Sequence, residues 1–333
     1  MPTVIAFVTV VSFWVRPPGL ELVRHIAGWG VVSCAVSLLL GVALPAYGLM
    51  PTVSGDQSDK AIVGGTLLSG MFNHSNTLGA VAALTLPLVF LFRRRMTVFL
   101  SIIFTFCALI WSASRTSMIA AIAMAFAWFV VRLFRRSNRV SVAVVSFVLI
   151  ASLLLVAITP FVTDDPTAFT SRGQIWIFSR GAFEAAPIFG NGVSFFQDIW
   201  AVNNGLFKDA QHAHNSFLTQ LTTLGLVGGV GLFLLVFMCA RVSLAYARIG
   251  DLRLSMYVVV WLVLSIGETV WRFNVTQPMW LFGTLPLIVL AASGVPRWIP
   301  SQAEDGQLRQ ARPRPSWYQR GAPLVSSDSV AHR

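Results

Sequence analysis

The stretch VSVAVVSFVLIASLLLVAITPFV, residues 140–162, carries no charged residue. Arg132, Arg135, Arg136 and Arg139 precede it, and a polar run opens after it at Thr163. A bilayer core asks for roughly 20 consecutive apolar residues per helix, and this run meets that demand. Working outward, similar runs recur at about 2–15, 27–49, 76–92, 96–113, 117–134, 216–240, 254–271 and 278–295. The pattern predicts about nine transmembrane helices.

Composition agrees with this reading. The 333 residues are 56% hydrophobic and only 11% charged, with a mean hydropathy of +0.72, a balance that excludes an ordinary water-soluble domain. In lipid each backbone N–H and C=O must be satisfied inside its own segment or in a closed barrel. No run of about ten residues alternates as barrel strands do, so the expected fold is an all-α, polytopic integral membrane protein. The net charge of +11 does not point to nucleic acid. The basic residues lie between apolar runs and not on one basic face with interleaved aromatics. Cys34, Cys107 and Cys239 fall inside apolar runs without paired or metal-ligand spacing, and read as small packing residues.

Arginine placement predicts topology. Arg16 and Arg24, Arg93 to Arg95, the Arg132–Arg139 cluster, then Arg241, Arg248 and Arg253 occupy every second connection, which places those connections in the cytoplasm. The alternate connections, 50–75, 114–116, 163–215 and the turn near Arg272-Phe273-Asn274, are then extracytoplasmic. The segment 163–215 is the one long external loop. Residues 1–297 form the predicted transmembrane domain, and 298–333, rich in Gln, Ser, Pro and Arg, are expected to be a disordered cytoplasmic tail. The first apolar run lacks a basic leader and is followed by Arg16-Pro17-Pro18-Gly19, not a small-residue cleavage site. It reads as a short or truncated membrane helix. An odd number of spans with a cytoplasmic C-terminus puts the N-terminus outside, so upstream helices are expected to be missing.

The external segments collect the polar residues that an apolar chain has least reason to keep: Asn73, His74, Asn76, Arg115, Arg172, Arg180, Glu184, Asp198, His212, His214, Asn215 and Arg272. Arg115 sits in a turn of three residues between two apolar runs, where it serves either as an interface anchor or as a ligand contact. Arg172 and Arg180 lie about 80° apart on a helix and can face one ligand; alternatively Arg180 pairs with Glu184 at i+4. Guanidinium groups suit bidentate phosphate recognition. His214, at the outer end of a helix, can act as a base toward a hydroxyl or pair with a phosphate. Gly225, Gly228 and Gly229 read as helix-packing residues. His74, His212 and His214 make a weak zinc signal, with two histidines at i,i+2 and no acidic residue at ligand spacing. No phosphate-binding loop of the Gly-x4-Gly-Lys-Ser/Thr type is present, and no cofactor is expected. Glu268 is the nearest to an ionisable residue inside the membrane.

Four elements together resemble the O-antigen ligase and polymerase superfamily: Gly70-Met-Phe-Asn73-His-Ser-Asn76-Thr-Leu-Gly79; Ser112-Ala-Ser114-Arg115-Thr-Ser117; Arg172-x-x-Ile-Trp176 with Pro187-Ile-Phe-Gly190-Asn-Gly192; and His212-Ala-His214-Asn215-Ser-Phe with Gly225-x-x-Gly228. They follow one another from about residue 60 to 240, and the His-Asn-x9-Gly-x-x-Gly element is the most specific. The resemblance implies a glycosyltransferase of the bacterial inner membrane. It would move a glycan from an undecaprenyl diphosphate carrier to a lipid, glycan or protein hydroxyl on the extracytoplasmic face, without metal or nucleotide. It further implies that Arg115 and Arg172 bind the diphosphate and that His214 activates the acceptor or holds phosphate. Arg180, Asn215, Asn76, His212 and Arg272 are the expected substrate-binding residues. Attack by an activated hydroxyl at the anomeric carbon predicts inversion. The alternative is a transporter or lipid flippase without glycosyl transfer, which would place ionisable residues near the bilayer midplane.

Overall fold

The computed structural model describes residues 2–50, 60–134, 138–202, 212–273 and 276–294; the expected tail from residue 298 lies outside them. The described residues are almost entirely helical. In chain order they are α1 (Pro2–Val15), α2 (Leu20–Ala43), α3 (Pro45–Gly48), α4 (Ser75–Leu88), α5 (Arg95–Ser112), α6 (Arg115–Leu133), α7 (Asn138–Val162), α8 (Ala168–Ala185), α9 (Phe195–Val202), α10 (Ser216–Arg248), α11 (Arg253–Gly267) and α12 (Leu285–Ser293). A π-helical turn, Trp280–Thr284, leads into α12. One departure from the all-helical expectation is a two-stranded antiparallel ladder that pairs Leu49–Met50 with Leu67–Leu68 and ties the two ends of the connection between α3 and α4.

Each predicted apolar run falls on a helix. Helices α2, α5, α6, α7 and α10 are long and apolar enough to cross a membrane, while Val4–Val15, Ser75–Leu91, Arg253–Gly267 and Trp280–Ser293 are shorter apolar helices. Burial separates the two kinds. Every residue of α11 from Leu254 to Ser265 is buried, and so is every residue of α4 from Leu78 to Leu88. Both are apolar all round, which suits a helix enclosed by others. The longer helices instead turn large apolar side chains outward, among them Phe99 and Phe106 on α5, Ile122 and Phe126 on α6, Phe147 and Ile150 on α7, and Val227 and Phe237 on α10. Such a surface is stable only against hydrocarbon.

Two interruptions shape the bundle. Pro160 in α7 has no N–H to give to the carbonyl of Val156, and Asn215 Nδ2 donates to that carbonyl instead at 2.9 Å. Gly225 breaks α10 with φ 63° and ψ −157°. The loop after α8 repairs this break: the amides of Leu226 and Val227 donate to the carbonyls of Pro187 and Ile188, and those of Asn191 and Gly192 to Thr222 and Thr223. A Cβ on Gly225 would lie 2.3 Å from Ile188 O, and one on Gly190 2.4 Å from the Thr223 carbonyl carbon. The expected packing role for Gly225 is therefore corrected: it closes a left-handed turn only glycine adopts freely, and the Pro187–Gly192 motif is its complement.

Candidate active site

Glu268 caps the C-terminus of α11, and the first turns of four other helices meet there. Arg172 Nη2 lies 2.6 Å from Glu268 Oε1. Asn76 Nδ2, in the first turn of α4, donates to the same oxygen at 3.2 Å. Thr116, second residue of α6, accepts from Arg172 Nη1 at 3.2 Å. His214 immediately precedes Asn215, the N-cap of α10, and its Nδ1 lies 3.6 Å from Glu268 Oε2. The connections predicted to share one side, before α4, between α5 and α6, before α10 and after α11, thus converge on one carboxylate. Four helix N-termini sum their partial positive charge here, and two cationic side chains, Arg172 and Arg272, add to it. An anion is the natural occupant, and in this state it is the protein's own.

Local sequence explains how each group is held. Helix α8 is irregular at its start, with Phe169, Thr170 and Ser171 all at positive φ, so its regular turns begin at Arg172. One turn on, the buried Trp176 donates from Nε1 to the carbonyl of Ala213 at 2.9 Å. That bond pins the residue between the two histidines, so the Arg172-to-Trp176 spacing sets the guanidinium beside His214. His214 itself is left-handed, with φ 50°, a conformation that costs energy in a non-glycine residue and is found where the surroundings impose it. Its Nδ1 is buried and has no hydrogen-bond partner among the described residues. A Cβ on Gly267 would stand 2.5 Å from Arg172 Nη1 and 3.0 Å from Thr116 Oγ1, so only glycine lets the guanidinium lie against α11. Gly79 does the same for α6: a Cβ there would meet Ser114 Cβ at 2.5 Å and Ser112 Oγ at 2.7 Å.

Segment 268–270 is fastened to the first turn of α10. Ser216 Oγ donates to the Glu268 carbonyl at 3.3 Å and accepts from the Val270 amide at 3.1 Å. His212 Nδ1 accepts from the His214 amide at 3.0 Å and lies 3.1 Å from Thr269 Oγ1. That acceptor role puts any ring proton of neutral His212 on Nε2. Burial, then the nearby His214, Arg272 and Arg172, hold the His212 pKa well below its ordinary value, so it is a neutral support. Arg272 bonds Thr284 through both its backbone groups. Burial lowers its pKa to about 10, against the pull of Glu268, and it stays charged at neutral pH.

The structure gathers Arg172, His214, His212, Asn76 and Arg272 in this neighbourhood, leaves Arg115 beside it, and gives Arg180 and Asn215 other partners. Arg180 does not face a shared ligand with Arg172: it donates to the Phe161 carbonyl at 2.6 Å and pairs with Asp164 at 2.9 Å, so Asp164 replaces Glu184 as its partner. Asn215 is fully buried and its amide is spent within the protein, Nδ2 on Val156 O and Ile266 O, Oδ1 on the Leu218 amide; it clamps α10 to α7 and α11. Arg115 is exposed at the start of α6, beside the site but in no ion pair or hydrogen bond among the described residues. The residue missed by sequence reasoning as a site member is Glu268. Its signal was present, since it is the one acidic residue of the 254–271 run, and such a residue at membrane depth defaults to function.

A cleft adjoins Asn76, lined also by Lys60, His74, Ser75 and Ser112. Among the described residues no three His, Cys, Asp or Glu side chains group as metal ligands. No curated protein matches the chain. Residues 100–233 match the family model described as O-antigen ligase, a stretch that runs from α5 through Arg115, Arg172 and His214 to the broken α10. Across that stretch this helical membrane protein is similar to the O-antigen ligase family.

Proposed function

We propose that the chain is a membrane glycosyltransferase that moves a glycan from an undecaprenyl diphosphate carrier to an acceptor hydroxyl at the extracytoplasmic face of the bacterial inner membrane. The carrying observation is the convergence of Arg172, His214 and four helix N-termini at one point beside the bundle's enclosed core. Such a seat suits a diphosphate, because oriented amides and a guanidinium neutralise a leaving group without an ion having to be recruited. Arg172 holds the diphosphate, and the unpaired Arg115 at the rim steers it in. His214 takes the proton of the acceptor hydroxyl as its oxygen attacks the anomeric carbon, and the diphosphate departs with the bonding electron pair. In-line displacement inverts that carbon. Asn76, His212 and Arg272 line or brace the seat, and the acceptor approaches through the cleft beside Lys60 and His74.

The broken α10 would suit a transporter, but its free amides are occupied by the carbonyls of Pro187 and Ile188. The ionisable residues instead collect at helix ends. Purified full chain incubated with lipid-diphosphate glycan and an acceptor should transfer glycan, and the His214→Ala and Arg172→Ala proteins should do so at least about a hundredfold more slowly. Full transfer by both variants rejects this reading.

A further inference from the structure

We propose that Glu268 is an internal stand-in for the donor: a bound diphosphate takes Arg172 and Asn76 from the carboxylate, and the released carboxylate closes its 3.6 Å gap onto His214 Nδ1. This inference rests on the reading that Arg172 receives the diphosphate, and adds to it a coupling between donor arrival and base activation.

The two oxygens of Glu268 are used unequally. Oε1 takes Arg172 at 2.6 Å and Asn76 at 3.2 Å, while Oε2 faces His214 Nδ1 beyond hydrogen-bond distance. That nitrogen is buried without a hydrogen-bond partner among the described residues, and leaving a buried polar atom unmade is costly enough that a nearby partner is expected in some state of the protein. Arg172 and Glu268 each keep under a fifth of their side-chain surface exposed, so the carboxylate cannot simply drift into solvent when it loses the guanidinium. The nearest remaining donor is His214. Closing the gap fixes the ring with its proton on Nδ1 and its lone pair on Nε2, and the carboxylate then stabilises the imidazolium that forms when Nε2 accepts the acceptor's proton. Before the donor arrives, the carboxylate is committed to Arg172 and Asn76 and stands 3.6 Å from the ring.

The carboxylate is therefore a positioning group that acts through His214, and binding and turnover should respond to it in opposite directions. The test uses the full chain in nanodiscs, with undecaprenyl diphosphate as binding probe and a lipid-diphosphate glycan with acceptor for turnover. Glu268→Gln removes the charge that competes for Arg172, so affinity for the probe rises about two- to fivefold while kcat falls roughly a hundredfold. In a His214→Ala background the same substitution changes kcat less than about twofold, because the group it served is gone. Glu268→Asp keeps the charge and shortens the reach. It should bind the probe as the parent does and lose kcat, which guards against a misfolded Gln variant.

Parallel loss of affinity and kcat in Glu268→Gln would make the residue a mere prop for Arg172 and overturn the exchange. So would an unchanged kcat, or an equal cost with and without His214. If Arg172→Ala binds the probe as tightly as the parent, the diphosphate reading itself fails, and the exchange with it.

Discussion

The two ends of α11 carry the same kind of ion pair and put it to opposite uses. At the start, Arg253 meets Asp251 two residues away through two contacts, Nε to Oδ1 at 2.8 Å and Nη2 to Oδ2 at 2.5 Å, and its Nη1 reaches the Phe90 carbonyl at 3.1 Å. Every group is paired, the partners are local, and the pair fastens the chain where the helix begins. At the far end, Glu268 pairs with Arg172 across 96 residues of sequence, shares the bond with Asn76, and leaves one histidine nitrogen unmatched. A completed pair is a fastener; an incomplete one, where other helix ends converge, has something left to bind. The difference lies in what surrounds the charges and not in the charges themselves.

This contrast breaks first at His214. His214→Ala should lower glycan transfer by about 10²- to 10⁴-fold with no fall in thermal midpoint, measured by single-turnover assay and nanodisc melting; a stability loss that tracks the activity loss would make the Glu268 end structural as well. Gly267→Ala should cost roughly ten- to a hundredfold in transfer, because its Cβ displaces a guanidinium whose placement sets the geometry. Ala is the better helix former, so melting should not worsen. Asn215→Leu tests a part of the Glu268 end that does no chemistry. It strands the carbonyls of Val156 and Ile266, and is expected to lower stability by about 1–3 kcal/mol and transfer only in proportion to the folded fraction. Asp251→Asn, at the Arg253 end of α11, should change stability by less than about 1 kcal/mol and leave transfer at the parental rate. A large drop in transfer there would erase the distinction between the ends.

The spans were legible because hydrocarbon imposes the same demand on every helix that meets it, and an uncharged run such as 140–162 can answer only one way. The grouping of connections on one side was legible from arginine placement, and the meeting of Asn76, Thr116, Arg172 and Glu268 is what that grouping requires. Arg172 and His214 were visible through their motifs. Glu268 was visible only as an oddity, because its importance lies in contacts 52 to 192 residues distant, and no local pattern encodes those. Asn215 misled for a related reason: its side chain answers a defect created by Pro160 in another helix. Arg180 misled because helical phase puts it near Arg172 in angle, while Asp164 and the Phe161 carbonyl at the end of α7 take its guanidinium. The sign of φ at Gly225 has no signature in hydropathy, so a break there reads as close packing until the loop that fits it is seen.

The carbonyl of Val156 has one further consequence. In hydrocarbon an unmet acceptor of this kind costs several kcal/mol, and the amide that meets it belongs to a residue 59 positions later. Helix α7 is therefore complete only once α10 is packed against it, and the same bond holds in place the histidine that precedes α10.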